Sequence, residues 1–463
     1  MQITRATSLA EVYRTLRPYP LSTPEEIAAF YRDEINATRG GDKMKRLRLR
    51  LSRAAEDGLP FKACLMGHSG VGKSTELSRL QETIKDQFRV IRFSANNDLD
   101  PGSFRPLDVV LVMMMEVATQ TARLVAPPPE ARLQEIKDWF AAEQSIRQET
   151  IGITGSITAG VGAERGSLWD QVLGLFATLQ GEVKYASTRN KKIEEYRLSR
   201  IKDLIDVANR LLDDCSRLLR YAYKGQRWLF IGEDFDKAGI AAERIEELFM
   251  TYGNLFQDLR ASLIFNVPIG LFYSSDATRL PFANENSFVL PDTPIYKQNH
   301  SPNAIGREAV KAVLTARIDL SLIESQALER LIIASGGNLR DLFSLVNYAA
   351  DTALLREAEV INGEDANAAI LDLRSDYERR LGMSPFDPEE ITYSEKAELL
   401  VRIYNGEQDA QITEPALYSL LRARAVQEFN GQRWFGVHPL VVDILAKQGR
   451  LQAAPSGGVP GGT

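Results

Sequence analysis

Gly67-His68-Ser69-Gly70-Val71-Gly72-Lys73-Ser74-Thr75 is the stretch of sequence that decides the fold. Its spacing, Gly-x4-Gly-Lys-Ser, is the Walker A pattern of a phosphate-binding loop. Glycines let the backbone curl so that successive N–H groups point at phosphate oxygens, and the helix that follows adds its positive end. Lys73 is then expected to bridge the β- and γ-phosphates, and the Ser74 hydroxyl to coordinate Mg²⁺. We therefore expect residues 67–75 to bind ATP with Mg²⁺.

The segments around this loop predict an α/β fold. Phe61–Met66 is a short apolar run that ends at the loop, and a helix is expected after it. Arg89–Phe93, Arg227–Ile231 and Ser262–Phe265 are predicted to be further strands. Strands that alternate with helices indicate a parallel sheet. The expected core is a P-loop NTPase fold with three layers, αβα.

Acidic residues follow the third of these strands. A phosphate loop needs a carboxylate there to hold the metal through water and to orient the attacking water. Glu233-Asp234 reverses the common order, so Glu233 takes the metal side with Ser74, and Asp234 takes the place of the base. Because aspartate is one methylene shorter than glutamate, slow hydrolysis is expected. If the motif is shifted along the sequence, Asp236 takes this role instead of Asp234.

Two more side chains are candidates for contact with the γ-phosphate. Asn266 ends the fourth strand, where its amide would hold the attacking water; the alternative is a turn residue ahead of Pro268. Arg340, in Ser335–Leu342, would link a helical lid to the nucleotide. Its alternative is a surface arginine paired with Asp341.

The rest of the chain divides into further segments. We expect an N-terminal helical segment at 1–56, the core at 57–300 with an insertion at about 127–195, a helical lid at 301–385, a winged-helix-like domain at 386–452 and a disordered tail at 453–463. Ile151–Val161 alternates in polarity and predicts a strand or glycine-rich hairpin. Ile193–Tyr223 predicts one long amphipathic helix. Asn430-Gly431 predicts the turn of a hairpin in the winged-helix-like domain.

Composition limits the classes of function. The 463 residues carry a net charge of −6, which argues against a protein built only to coat nucleic acid. With two cysteines, Cys64 and Cys215, no disulfide framework is implied, and a reducing cytoplasm is expected. No apolar run reaches the length of a membrane span. No cluster of His and Cys ligands stands out, although a site of carboxylates and phosphates stays open.

These motifs, in this order, resemble the AAA+ and STAND-type ATPases of the origin-recognition and NACHT-like group. The sequence of residues 67–77 is similar to that of bacterial ATPases encoded beside effector genes in conflict and antiphage systems. The C-terminal sequence Val437-His438-Pro439-Leu440 is similar to theirs too. The resemblance covers roughly residues 45–450. It implies an αβα core, a helical lid, a winged helix and nucleotide-controlled oligomers. It also implies an arginine finger that reaches a neighbour's γ-phosphate, for which Arg279 is the candidate.

Three functions are consistent with the sequence. The favoured one is an ATP-hydrolysing switch that forms a homo-oligomer and controls a separate effector protein, since no effector domain is visible in the chain. The alternative is a DNA-binding initiator or transposition regulator whose winged helix docks on nucleic acid. Arg422 and Arg424 are the only cations of residues 416–425, a weak footprint for DNA. A small-molecule kinase is disfavoured because it would not need the lid and the C-terminal domain.

Overall fold

The fold is seen in a computed structural model that describes residues 3–41, 43–151, 167–185, 191–237, 239–282, 284–384, 387, 390–411, 414–429 and 434–451. A five-stranded parallel sheet forms its centre, with the strands in the order β2-β3-β4-β1-β5. These strands are β1 Lys62–Met66, β2 Phe88–Ser94, β3 Arg227–Glu233, β4 Ser262–Asn266 and β5 Ser287–Val289. Four of them were expected. The edge strand β5 was not expected, because three residues are too few to show a pattern.

Helices cover both faces of this sheet. They are α4 Lys43–Glu56, α5 Lys73–Ile84, α6 Pro106–Leu124, α7 Glu130–Ile151, α8 Leu168–Lys184, α9 Lys191–Ser199, α10 Ile201–Ala222, α11 Ala242–Glu246, α12 Gly253–Asp258 and α13 Ile269–Phe272. Along β1, Ala63 and Leu65 pack with α4 and α5, whereas Cys64 and Met66 pack with α6 and its neighbours. A parallel sheet buried on both faces explains why its inner strands β1, β3 and β4 are mostly apolar.

The region between β2 and β3 differs from the expectation in one respect. The predicted helix Ile193–Tyr223 is two helices, α9 and α10, which meet at Arg200 with φ −113° and ψ 23°. Neither glycine nor proline marks this break, so no residue of the segment predicts it. The alternating segment predicted for 151–161 falls, after Ile151, outside the described residues.

The N-terminal helices and the second half of the chain form a separate apolar core. The elements of this part are α1 Leu9–Thr15, α2 Pro24–Phe30, α3 Glu34–Ala37, α14 Ala304–Thr315, α15 Ser325–Ala334, α16 Leu339–Leu355, α17 Gly363–Arg380, α18 Tyr393–Tyr404, α19 Pro415–Ala423, β6 Val426–Phe429, β7 Trp434–Val437 and α20 Pro439–Lys447. All of them except α2 contribute buried side chains to the core. Leu9, Val12 and Leu16 share one apolar cluster with helices α14 to α20. Ala6 also makes a parallel bridge with Ile318. The N-terminal segment is therefore joined to the lid.

The last part of this core has winged-helix character. Helices α18 and α19 precede an antiparallel hairpin of β6 and β7, and α20 follows it. The Asn430-Gly431 turn and the tail 453–463 lie outside the described residues. An αβα core, a helical lid and a winged-helix-like end agree with the expected fold class. Within the described ranges, no helix combines the length and apolar character needed to cross a membrane.

Candidate functional site

The phosphate loop connects β1 to α5 at the carboxyl edge of the sheet. Gly67 and Gly70 have φ values of +146° and +96°, and both are closely approached by other parts of the chain. A Cβ at Gly70 would lie 2.3 Å from Asn338 Oδ1, and one at Gly67 would lie 2.4 Å from Leu290 O. Helix α5 then starts at Lys73, directly after Gly72. The glycines thus allow both the curled backbone and the tight contact with the lid.

Lys73 is held within the loop by three oxygens. Its Nζ donates to Gly67 O at 2.7 Å and to His68 O at 2.9 Å, and it lies 2.7 Å from Asp236 Oδ2. Only 6% of the Lys73 side chain and 8% of the Asp236 side chain are exposed. Burial opposes ionisation of Asp236, but Lys73 holds the pKa of this carboxyl below its ordinary value. Asp236 was predicted only as an alternative to Asp234, and the structure places Asp236 beside the lysine.

The two expected acidic residues lie at the end of β3, each with its own partner. Glu233 Oε2 accepts from Arg92 Nη2 at 2.5 Å and from Arg92 Nε at 2.8 Å. Asp234 adopts φ +66°, and its Oδ2 accepts from Ser94 Oγ at 2.6 Å. Both residues line the same cavity as Lys73. Side chains of β2 therefore hold both acidic residues in place. Arg92 and Ser94 can do so because β2 pairs with β3 along this end of the sheet.

Oxygen atoms without partners point to a place for a metal. Asn266 is 2% exposed at the end of β4, and its Oδ1 has no hydrogen-bond partner; Glu233 Oε1 is also buried without one. The Glu233 carboxylate and the Ser74 hydroxyl, which line the same cavity, are oxygen ligands that suit Mg²⁺, and the Asn266 amide oxygen is left for a water molecule. The described residues hold no group of three or more His, Cys, Asp and Glu side chains suited to a metal. The residues thus fit a magnesium ion that takes its remaining ligands from phosphate and water.

A cavity of about 700 Å³ joins these groups to the lid and to the N-terminal segment. This volume lies within the range of small-molecule sites. Arg340 lines it, and Arg340 Nη1 donates to Ser69 Oγ at 2.5 Å. Burial and the neighbouring Arg424 lower the pKa of Arg340. Arg340 therefore contacts the phosphate loop, and Asp341 pairs with Arg424 instead.

The winged-helix-like part also contacts the phosphate loop. Arg424 Nη1 donates to Ser69 O at 3.3 Å, and the backbone N–H of Glu428 donates to His68 Nε2 at 3.3 Å. His68 is fully buried, and burial lowers its pKa. Asn338 of the lid donates its Nδ2 to Ser69 O at 3.0 Å. The backbone carbonyl of Ser69 is thus held by the lid and the winged helix together, and the His68 ring is held by the winged helix.

The contacts of the winged-helix-like part engage its positively charged side chains within the protein. Arg424 is buried in an ion pair with Asp341 at 3.0 Å, and Arg422 Nη2 donates to Ile240 O at 2.9 Å. His438, which caps α20, is also buried, and burial lowers its pKa to about 4. The two arginines that formed the weak footprint for DNA therefore contact other parts of the protein in this structure.

The N-terminal segment supplies residues that the sequence did not reveal. Arg39 lines the cavity and is 2% exposed; its Nε donates to Thr293 Oγ1 at 3.2 Å, while Nη2 is buried without a partner. The backbone N–H of Leu21 donates to Thr75 Oγ1 at 3.1 Å. No sequence signal could have found Arg39, since an arginine ahead of Gly40-Gly41 reads as surface charge.

Arg279 is the expected site residue that lies apart from the others. It ends a short 3-10 turn at Ser275–Arg279 and is exposed. It is not among the residues that line the cavity. The role of Arg279 as an arginine finger on a neighbouring copy stays a prediction.

Comparison with known proteins gives matches in structure only. No family model matches the chain, and no curated protein matches its sequence. Similar solved structures include the ORC1 protein of Aeropyrum pernix in complex with DNA (13% identity, 95% of this chain and 96% of that chain, TM-score 0.39). A Walker-type ATPase of Pyrococcus abyssi matches at 13% identity over 93% of this chain and 99% of that chain, with a TM-score of 0.42. The RuvB Holliday junction branch migration motor of Thermotoga maritima matches at 13% identity over 93% and 98%, with a TM-score of 0.35.

At TM-scores this low, the fold class rests on the chain's own geometry. The strand order and the glycine loop between β1 and α5 are those described above. Acidic residues follow β3, the second strand away from β1. Together these features make the core of this chain a P-loop NTPase fold of the αβα class.

Proposed function

We propose that this chain is a switch that binds Mg²⁺ and ATP, hydrolyses ATP slowly and thereby controls a partner protein. The observation that carries this proposal is the position of Lys73. Its ammonium group lies in a glycine loop, between loop carbonyls and Asp236, and faces a cavity of nucleotide size. Backbone amides, a lysine and the start of a helix together form an anion site.

The proposed roles of the site residues follow from their positions. Lys73 binds the β- and γ-phosphates, while Ser74 and Glu233 hold the metal. When bound, Mg²⁺ would neutralise charge on the transferring phosphate. Asp234 or Asp236 accepts the proton of the attacking water, and Asn266 orients that water with its free Oδ1. Because Glu233 is engaged by Arg92, we expect slow turnover.

The switch itself rests on the shared contacts of the phosphate loop. The lid holds Ser69 through Asn338 and Arg340, and the winged helix holds it through Arg424. A phosphate group that enters the loop competes for Arg340 and alters these contacts. Nucleotide binding then favours one arrangement of lid and winged helix over another, as population shift requires.

The partner is proposed to be a protein. Arg422 and Arg424 are engaged by the core in this structure, which supports protein contact over DNA contact by the winged helix. We propose a homo-oligomer that acts on a separate effector, in the setting of bacterial antiphage defence. Both cysteines are buried and unbridged, which is consistent with a reducing cytoplasm.

Calorimetry tests the nucleotide site directly. Wild-type protein should bind ATP with Mg²⁺, and Lys73→Ala should abolish binding or turnover. The control is Lys85→Ala, since Lys85 lies on the surface just after the same helix and pairs with Glu82. If wild-type protein takes up no nucleotide, or if Lys73→Ala binds and hydrolyses ATP as wild type does, the proposal is wrong.

Mixing experiments test the oligomer. Mass measurement with a slowly hydrolysed ATP analogue should show assembly that is absent without nucleotide. If Arg279 acts on a neighbouring copy, Arg279→Ala and Lys73→Ala should each be inactive alone. A mixture of the two should recover part of the activity, because one copy supplies the intact loop and the other the intact arginine. No recovery would rule out this role for Arg279.

A further inference from the structure

A pair of arginines lines the nucleotide cavity on the wall formed by the N-terminal segment and the lid. Arg32 follows α2, and Arg317 follows α14. Arg317 is 6% exposed. Neither guanidinium bonds to residues 67–75, so the pair is a second positive region of the cavity, distinct from the phosphate loop.

Arg317 is fixed in position, but its charge is not compensated. Its Nη1 donates to Phe30 O at 2.9 Å and to Val313 O at 3.1 Å. The guanidinium carbon lies 5.2 Å from the centre of the Phe30 ring and 5.0 Å from that of Phe343. These contacts orient the group, and its Nε and Nη2 donate to no described residue. A planar donor pair is therefore left for a ligand.

Arg32 places a second positive charge near that of Arg317. Its Nη1 donates to Tyr31 O at 2.7 Å and to Ala29 O at 3.2 Å. Within the described part of the chain, neither arginine forms an ion pair with a carboxylate. Burial and the nearby charge of Arg32 lower the pKa of Arg317 to about 10. A buried cation beside a like charge is costly unless an anion joins it.

We propose that Arg32 and Arg317 form a second anion subsite, which binds a phosphoryl group together with the nucleotide. This inference rests on the proposed function, since it assumes that a nucleotide fills the cavity. ATP carries its charge on the triphosphate, which the phosphate loop and Lys73 take. The ligand class that matches both regions is a nucleotide with a further phosphate on its ribose. Free phosphate bound beside the nucleotide has the same chemistry, because two guanidinium groups bind either through paired N–H donors.

Calorimetry with matched ligands distinguishes a phosphate on the ribose from a free phosphate ion. Calorimetry compares ADP with ADP that carries a phosphate at the ribose 2′ or 3′ position, and ADP with and without inorganic phosphate. We expect one phosphorylated form to bind wild-type protein at least about tenfold more tightly than ADP. If free phosphate is the ligand, millimolar phosphate should instead raise the affinity for ADP. In either case the gain should shrink as salt rises, because exposed parts of the subsite are screened.

Substitutions of Arg32 and Arg317 test whether these two side chains cause the gain in affinity. Arg32→Gln and Arg317→Gln should each reduce the gain to less than about threefold, and circular dichroism checks that both are folded. Arg32 is only partly buried, so its variant remains informative if Arg317→Gln fails to fold. Arg340→Gln is the control: it removes a different arginine of the same cavity, so the ratio between the affinities for phosphorylated ADP and for ADP should stay as in wild type.

The outcomes distinguish this inference from the proposed function. A wild-type protein that binds ADP but gains nothing from any added phosphate would overturn the subsite alone. So would a gain that persists in both Arg32→Gln and Arg317→Gln. A wild-type protein that binds no nucleotide would overturn the proposed function and the subsite together.

Discussion

Replacing Asp236 with asparagine tests whether this carboxylate holds Lys73 in the nucleotide-free protein. The two charged groups lie 2.7 Å apart and are almost fully buried. At an effective dielectric constant of about 20, such a pair attracts by about 6 kcal/mol before desolvation is counted. Removing one partner of a buried pair costs about 3–5 kcal/mol, because the other charge is left uncompensated. We expect Asp236→Asn to lower the free energy of unfolding by an amount in that range.

Nucleotide should restore much of this loss. Phosphate oxygens give Lys73 a new counter-charge, and the variant has no carboxylate there to repel them. We expect Asp236→Asn to bind ADP about 10- to 100-fold more tightly than wild type, or ~1.4–2.7 kcal/mol. Urea unfolding with and without ADP, together with calorimetry of ADP without magnesium, measures both effects. The stabilisation by ADP should be larger in the variant, because it grows with affinity.

A neighbouring aspartate provides the matched control. Asp234 is 25% exposed and lies 3.5 Å from Lys237 Nζ. Partly exposed pairs of this kind contribute about 0–1 kcal/mol, so Asp234→Asn should change the free energy of unfolding little. If Asp236→Asn unfolds at the same urea concentration as wild type and binds ADP with unchanged affinity, Asp236 does not hold Lys73 and the reasoning fails.

Three further predictions concern hydrolysis, the loop and pH. Asp234→Asn should bind ATP and release phosphate about 100-fold more slowly; normal turnover would assign the base to Asp236. Gly70→Ala should abolish ADP binding in calorimetry because its Cβ would lie 2.3 Å from Asn338 Oδ1, whereas Gly72→Ala, with no atom within 4 Å, should lose only about 1–2 kcal/mol of stability through its positive φ. His438 has its pKa lowered to about 4 by burial. The unfolded state therefore binds its proton first, and this stability is present above about pH 6.5 and lost as pH falls toward about 4. Urea unfolding at about pH 7 and about pH 4.5 should show a loss of about 2–3 kcal/mol that His438→Gln reduces; an unchanged pH dependence in this variant would contradict it.

The parts of the fold that the sequence predicted are those with strong local patterns. Strands β1, β3 and β4 are mostly apolar because the sheet is buried on both faces, whereas the edge strand β2 includes Arg89 and Arg92 among its apolar residues. The three residues of β5 carry no such pattern, although hydrogen bonds to β1 complete the sheet. The break at Arg200 is likewise invisible, since helical spacing continues on both sides of it. Local periodicity reveals elements, but not the short edges and joints that tertiary packing decides.

The site divides in the same way. The phosphate loop was predictable because its chemistry needs a fixed spacing within a few residues. The contacts of Asp236 with Lys73 and of Arg92 with Glu233 join residues more than 100 positions apart, so they depend on the sheet order. Arg39 reaches the cavity from a segment that precedes the sheet. No spacing in the sequence could bring these groups together.

The bridge between Ala6 and Ile318 has a consequence for folding during synthesis. The backbone of Ala6 bonds to Arg317 and to Asp319, more than 300 residues later in the chain. At about 5–20 residues per second, a ribosome needs roughly 15–60 s to produce the partner of this segment. Until then the apolar face of Leu9, Val12 and Leu16 lacks most of the residues that share its cluster, because these come from residue 310 onward. Nascent chains should therefore bind chaperones through their first helix, and gene fragments that stop short of residue 318 should aggregate.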